Sequence, residues 1–237
     1  MNTSTALVTG ANKGIGWHIA RQLVDAGLTV HVGSRDPERG RLAVERIGAG
    51  AHLLVLDVTD AASIAAAAAQ VPELDVLVNN AGILVDGATP DEADVDSFRR
   101  TYETNVFGVL AVTNAFLPAL RRSSRGRIVN ISSGTGSLGD TAAPGSPFPA
   151  KGHGAAYRSS KTALNALTLF YGQALAGDRI LVNALAPGLR RTELNARAAA
   201  AEGDPAEAAA GAVRLALLDA DGPTGTFVSW DGTPVAW

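Results

Sequence analysis

No cysteine occurs among the 237 residues, which excludes disulfides and thiolate ligands while fitting any compartment. No metal is expected. No apolar run is long enough to cross a bilayer, so no membrane partner is expected. The first strand-like run, TALVT (5–9), begins too early to leave room for a secretory signal. Basic residues are neither in excess nor clustered: formal net charge is -3, and nucleic acid is a poor candidate partner. There is no tandem repeat of the solenoid kind and no linker to divide the chain. What remains is a cytoplasmic single domain, expected over residues 1–237, whose 46% hydrophobic content suffices for one sizeable core.

Short β-branched runs alternate with helix-like segments: TALVT (5–9), TVHVG (29–33), HLLVL (52–56), DVLVN (75–79), RIVNIS (127–132), RILVNAL (179–185) and TFVSW (226–230). Most are continuously apolar, as strands covered on both faces must be. Intervening segments such as IGWHIARQLVDAG (15–27) carry helical periodicity and often end at glycine. Alanine-rich stretches at 61–70 and 196–212 read as helix. The pattern predicts a Rossmann-type α/β fold, a doubly wound parallel sheet of about seven strands with helices on both faces. Ligands in such sheets bind beyond the carboxyl ends of the strands, so the informative residues should follow strands.

TGANKGIG (9–16) follows the first, with Gly10, Gly14 and Gly16 spaced G-x-x-x-G-x-G rather than in the dinucleotide spacing G-x-G-x-x-G. Peptide N–H groups across this turn, those of Asn12 and Ile15 among them, can point at a phosphate beside the helix dipole. Gly10 would allow the tight turn, Gly14 a close backbone approach and Gly16 close packing of helix on sheet. A flexible loop is the alternative, and the stretch by itself leaves the two even. After the second strand comes VGSRDPERG, in which Asp36 suits an N-cap and Pro37 the first helical position. That leaves Ser34 and Arg35 to face a ribose. Arg35 and Lys13, unless they are merely solvated surface cations, tilt the cofactor toward NADP(H).

LDVLVNNAG (74–82) ends the fourth strand with Asn79 and Asn80. Each amide must find partners, so bracing of neighbouring strands is part of their role. Ala81 and Gly82 add a smooth surface beside a cofactor. The fifth strand ends at Ser132 and Ser133, which strand alternation points oppositely. In AYRSSKTALNAL (156–167), Tyr157 and Lys161 share one helix face. A tyrosine of pKa about 10 is a poor acid at neutral pH, and a neighbouring ammonium is expected to lower that pKa toward the useful range.

In order along the chain these motifs resemble those of the short-chain dehydrogenase/reductases, over nearly the full length. TGANKGIG is similar to that family's own T-G-x-x-x-G-x-G turn, which settles the glycine spacing as a variant fingerprint. The resemblance makes Asp57 and Val58 the adenine contact and NNAG (79–82), including Asn79, the motif after the fourth strand. Asn105, in YETNVFG, corresponds to a helix-interrupting asparagine that holds a proton-relay water. Ser133, Tyr157 and Lys161 correspond to the catalytic serine, tyrosine and lysine, with Ser132 structural unless a bulge reverses the pair. Pro187, Gly188 and Thr192, in PGLRRT, correspond to the segment that meets the nicotinamide carboxamide.

Within the family, TGANKGIG, GSRD, SSGTGSLG and the ending GPTGTFVSWDGTPVAW look most like carbonyl reductases. The resemblance therefore implies reduction of a ketone or aldehyde with NADPH, Tyr157 supplying the proton and Lys161 binding the nicotinamide ribose. Alcohol oxidation is the same chemistry reversed. A catalytically silent NADP-sensing protein and a dehalogenase-like relative are the rivals. The intact Asn105, Ser133, Tyr157 and Lys161 argue against the first, and the retained glycine turn against the second. The implied partners are a small carbonyl or alcohol substrate and further copies of the chain, as homodimer or homotetramer, through the helices carrying Asn105 and Tyr157. The glycine- and proline-rich loop 134–154 is expected to shape the substrate mouth, with Leu138 and Phe148 as apolar contacts and His153 solvated. Residues 189–206 are the other expected wall, as a mobile lid, with Arg190 and Arg191 facing water.

Overall fold

Seven runs become strands in the computed structural model, which describes residues 4–148 and 150–237. They are β1 (Thr5–Val8), β2 (Thr29–Ser34), β3 (Ala51–Val55), β4 (Val76–Asn79), β5 (Arg127–Ile131), β6 (Leu181–Ala186) and β7 (Thr226–Ser229). They form one sheet in the order β3-β2-β1-β4-β5-β6-β7, each neighbouring pair parallel. β6 begins later than its apolar run because Arg179, at φ 57°, still belongs to the preceding turn. The strand order reverses between β1 and β4, where a crevice opens beyond the strand ends.

The helices are α1 (Gly14–Asp25), α2 (Pro37–Ile47), α3 (Ala61–Gln70), α4 (Val95–Tyr102), α5 (Gly108–Arg122), α6 (Leu138–Ala142), α7 (Ala155–Ala174), α8 (Ala196–Ala199) and α9 (Pro205–Ala216). Their ends follow local chemistry. Asp36, Asp60, Asp94 and Asp204 cap α2, α3, α4 and α9, each accepting from a backbone N–H of the first turn. α1 stops where Gly27 takes φ 89° and Leu28 N donates to Leu23 O at 3.1 Å, a left-handed closure that glycine favours.

Strand alternation divides the core into two layers. Ala6, Val8, Val76 and Val78 face α1 and α9 residues such as Ile19, Leu23 and Leu215. Leu7 and Leu77 face the opposite way, onto Ile64 of α3 and Val112 and Phe116 of α5. Both faces are thus covered, which accounts for the continuous apolar runs. Among the described residues no helix is long and apolar enough to cross a membrane.

Candidate active site

The crevice is a cleft of about 440 Å³. One wall is largely backbone. Gly10 and Gly14 take φ 63° and 56°, and Asn12, Lys13, Ile15 and Gly16 continue the turn along the cleft. Gly16 is required by space: a Cβ there would lie 2.3 Å from Asn80 Nδ2 and 2.8 Å from Gly10 O. Asn80 Nδ2 donates to Thr9 O and Gly10 O at 2.9 and 3.2 Å, pinning the turn to the end of β4. Unlike the aspartate-capped helices, α1 has no side-chain cap and no acidic residue in its first turn. Its open N–H groups and dipole therefore face the cleft without a carboxylate of their own. Arg35, Asp57, Val58, Ala81 and Gly82 complete this wall. An uncapped helix start over a glycine-rich turn fits the pyrophosphate of a dinucleotide.

Three expected cofactor residues are placed elsewhere. Ser34 is 2% exposed and donates its hydroxyl to Asp36 O at 2.7 Å. Strand alternation turns it into the α2 interface, so only Arg35 of that pair lines the cleft. Asn79 is likewise buried, donating to Asn130 Oδ1 at 2.8 Å and Thr113 Oγ1 at 3.1 Å. It braces β4 against β5 and α5, while Asn80, passed over as a contact, lines the cleft. Gly188 sits at φ 69° with Trp230 beside it, between Pro187 and Thr192, which do line the cleft.

The facing wall is made of side chains. Tyr157 and Lys161, on the first turns of α7, both line the cleft. Lys161 is 4% exposed, and its Nζ donates to Ile131 O at 2.8 Å. Burial lowers its pKa from 10.5 to about 8. The same Nζ lies 5.7 Å from the centroid of the Tyr157 ring. The expected lowering of the Tyr157 pKa is not found. Although part of its surface opens on the cleft, burial raises it from 10.0 to about 12, with only the Ser133 hydrogen bond pulling downward. The ammonium is directed at a carbonyl, and desolvation outweighs what charge is left to act on the phenol.

Ser133 begins a 3-10 turn (Gly134–Gly136), its Oγ 2.8 Å from Thr135 Oγ1. Ser132 lends surface to the cleft, but its hydroxyl donates to Asn165 Oδ1 within the core. The two hydroxyls thus point apart, Ser132 into the core and Ser133 to Thr135, and of the two residues only Ser132 lines the cleft. Asn105 lies in a π-helical turn (Glu103–Phe107) between α4 and α5 and is fully buried. Its Oδ1 accepts from Ile83 N at 2.8 Å, and its Nδ2 donates to Ile83 O and Ser160 Oγ at 2.9 and 3.0 Å. With both amide hydrogens engaged, this side chain holds backbone and α7 in place and does not itself reach the cleft.

Phe148 approaches Gly134, where an added Cβ would lie 3.4 Å from its Cζ, and does not line the cleft. Leu138 is 61% exposed on α6 and does not line the cleft. His153 is exposed beside Gly87 O. Pro149, within the same loop, lies outside the described residues. Arg191 is exposed, but Arg190 is not. Its guanidinium stacks 4.2 Å from the Trp230 centroid, donates to Pro187 O and pairs with Glu207 at 3.0 Å. A stacked, paired guanidinium tolerates burial, so Arg190 ties the segment after β6 to Trp230 and to Glu207 of α9. Ile83, Leu84 and Leu194 add apolar surface to the cleft that no sequence motif marked.

The family model described as short chain dehydrogenase matches residues 4–203. The chain is 39% identical to the short-chain dehydrogenase anuI of Penicillium roqueforti over 78% of each chain. It is 32% identical to salutaridine reductase of Papaver bracteatum, over 94% of this chain and 93% of that one. The solved structure of an NADPH-bound carbonyl reductase from chicken fatty liver superposes with a TM-score of 0.85 at 31% identity, all of both chains being covered.

Proposed function

This chain belongs to the short-chain dehydrogenase family, and on that premise we propose that it reduces a ketone or aldehyde to an alcohol with NADPH. The observation that carries the reading is the meeting of Tyr157 and Lys161 on one wall of the cleft, with Ser133 near enough to the tyrosine to oppose the rise in its pKa. The glycine turn and the start of α1 would hold the pyrophosphate, and Arg35 and Lys13 the 2′-phosphate. Lys161 would hold the nicotinamide ribose, and Pro187 with Thr192 the carboxamide end. When bound, the nicotinamide supplies the hydride that the carbonyl carbon accepts.

The chain's own residues manage the oxygen. Ser133 donates a hydrogen bond to it, and Tyr157 transfers its phenolic proton as negative charge develops there. A phenol with a pKa raised to about 12 keeps its proton throughout the neutral range, the form that reduction needs. Lys161 places a positive charge near the phenolate left behind. Asn105 contributes by position, tying the 82–83 segment to α7 through Ser160. The apolar surface of Ile83, Leu84 and Leu194 favours an uncharged, hydrophobic carbonyl compound. Exposed Phe107, Leu110 and Phe170 lie on the π turn, α5 and α7, where we place the contact between copies of the chain.

The test is a panel of hydrophobic ketones and aldehydes with NADPH, followed by loss of its absorbance. Turnover of at least one compound class is expected. Tight NADPH binding with no turnover across the panel would favour a silent sensor instead.

A further inference from the structure

Lys13, one of two cations that the NADPH reading assigns to the 2′-phosphate, already has an anion. Its Nζ lies 2.6 Å from Glu193 Oε2, the side chains being 48% and 70% exposed. Lys13 belongs to the glycine turn and Glu193 to the segment after β6, and both line the cleft. The two walls also approach at the neighbouring residues, where a Cβ on Gly14 would lie 3.6 Å from Thr192 Cγ2. Arg35, by contrast, forms no ion pair among the described residues.

We infer that Glu193 weakens cofactor discrimination by competing with a 2′-phosphate for Lys13. The inference rests on the NADPH reading above and concerns what limits it. An ammonium is a compact charge that can be shared between anions. A phosphate reaching Lys13 must displace the carboxylate or share the cation with it, and sharing sets two anions beside each other. A plain ribose brings no charge and is indifferent to Glu193. Because the pair is exposed, its own stability is small. The phosphate can therefore win, at reduced affinity. Arg35 supplies unopposed attraction, and Lys13 only what Glu193 leaves.

The test is calorimetric binding of NADPH, NADH, adenosine 2′,5′-bisphosphate and 5′-AMP to the parent, Glu193→Gln, Lys13→Met and the double variant. Glu193→Gln should tighten both 2′-phosphorylated ligands by about three- to tenfold, the range of a modest exposed charge interaction. NADH and 5′-AMP should stay within about twofold of the parent, inside that same scale of surface effects. The gain should shrink as salt is raised and vanish when Lys13 is already methionine. Equal effects on all four ligands, or none, would overturn the inference, since Glu193 would then close the cleft or do nothing. The cofactor reading fails separately, if the parent binds phosphorylated and plain ligands alike. In that case the inference stands if Glu193→Gln creates a preference and falls if it does not.

Discussion

The two walls of the cleft are built from different materials. The wall over β1 and β4 is largely backbone, shaped by two left-handed glycines, a helix start without a cap, and Gly16 where no Cβ fits, with Lys13, Arg35 and Asp57 also lining it. The wall from β5 and α7 is side chains, whose behaviour depends on what surrounds them: a lysine driven down by burial and a tyrosine driven up. A backbone wall recognises a repeating chemical feature such as a pyrophosphate. A side-chain wall can place one proton. Binding and turnover should therefore be separable by mutation.

The largest separation is expected at Tyr157. Tyr157→Phe keeps the ring and its packing but removes the transferable proton. General acid–base groups contribute about 10²–10⁴-fold to rate, so single-turnover oxidation of NADPH should slow by that order. NADPH affinity should barely change, because the backbone wall is intact. Near-parental turnover would mean that the proton comes from another group.

Lys161 tests the same wall through stability. An unfolded lysine keeps its proton up to 10.5, whereas the folded chain releases it near 8. Between those values the unfolded state binds more protons, so folding stability rises with pH across the window and is lost as pH falls through the lower value. At about 1.4 kcal/mol per unit, the contribution is on the order of 3 kcal/mol. Urea unfolding of the parent and Lys161→Met at pH 7 and pH 10 measures it. The parent should gain on the variant at the higher pH, and a constant difference would contradict the buried-ammonium account.

How much of this could be read from residues alone follows the same division. The strands were legible because continuous apolar runs are local, whereas the glycine turn, even with a flexible loop on its own spacing, was read through its resemblance to a family motif. Tyr157 and Lys161 were legible as a helical pair, but the sign of the tyrosine shift was not, since desolvation comes from neighbours brought in by the fold. Adjacent residues at strand ends proved hardest. Asn79 and Asn80, or Ser34 and Arg35, differ by one step of alternation, and that step decides whether a side chain enters a helix interface or the cleft. Arg190 was misplaced because the groups that permit its burial, Trp230 and Glu207, are distant in sequence.

Within the cofactor wall, Arg35 should matter more than anything beside it. A charge-assisted hydrogen bond contributes about 1.5–3 kcal/mol, so Arg35→Ala should weaken NADPH by roughly tenfold or more. NADH should bind almost as before. Equal losses for both cofactors would show that Arg35 acts on the fold or on a shared part of the dinucleotide.

Ser34 supplies the smallest effect and the sharpest control. It precedes Arg35, but its hydroxyl donates to Asp36 O at the start of α2, and Gly40 packs close against it. Ser34→Ala removes that donor and leaves the Asp36 carbonyl one partner fewer, while the capping bonds from Glu38 and Arg39 to the Asp36 carboxylate remain. A hydrogen bond of this kind is worth about 1 kcal/mol net, so the unfolding midpoint should fall slightly. The affinities for NADPH and NADH should stay level, since the hydroxyl faces the helix and not the cleft. Calorimetric titration of both cofactors against Ser34→Ala and Arg35→Ala settles the pair. If Ser34→Ala lost NADPH selectively, as Arg35→Ala should, the strand would have to turn its serine toward the ribose when the cofactor binds.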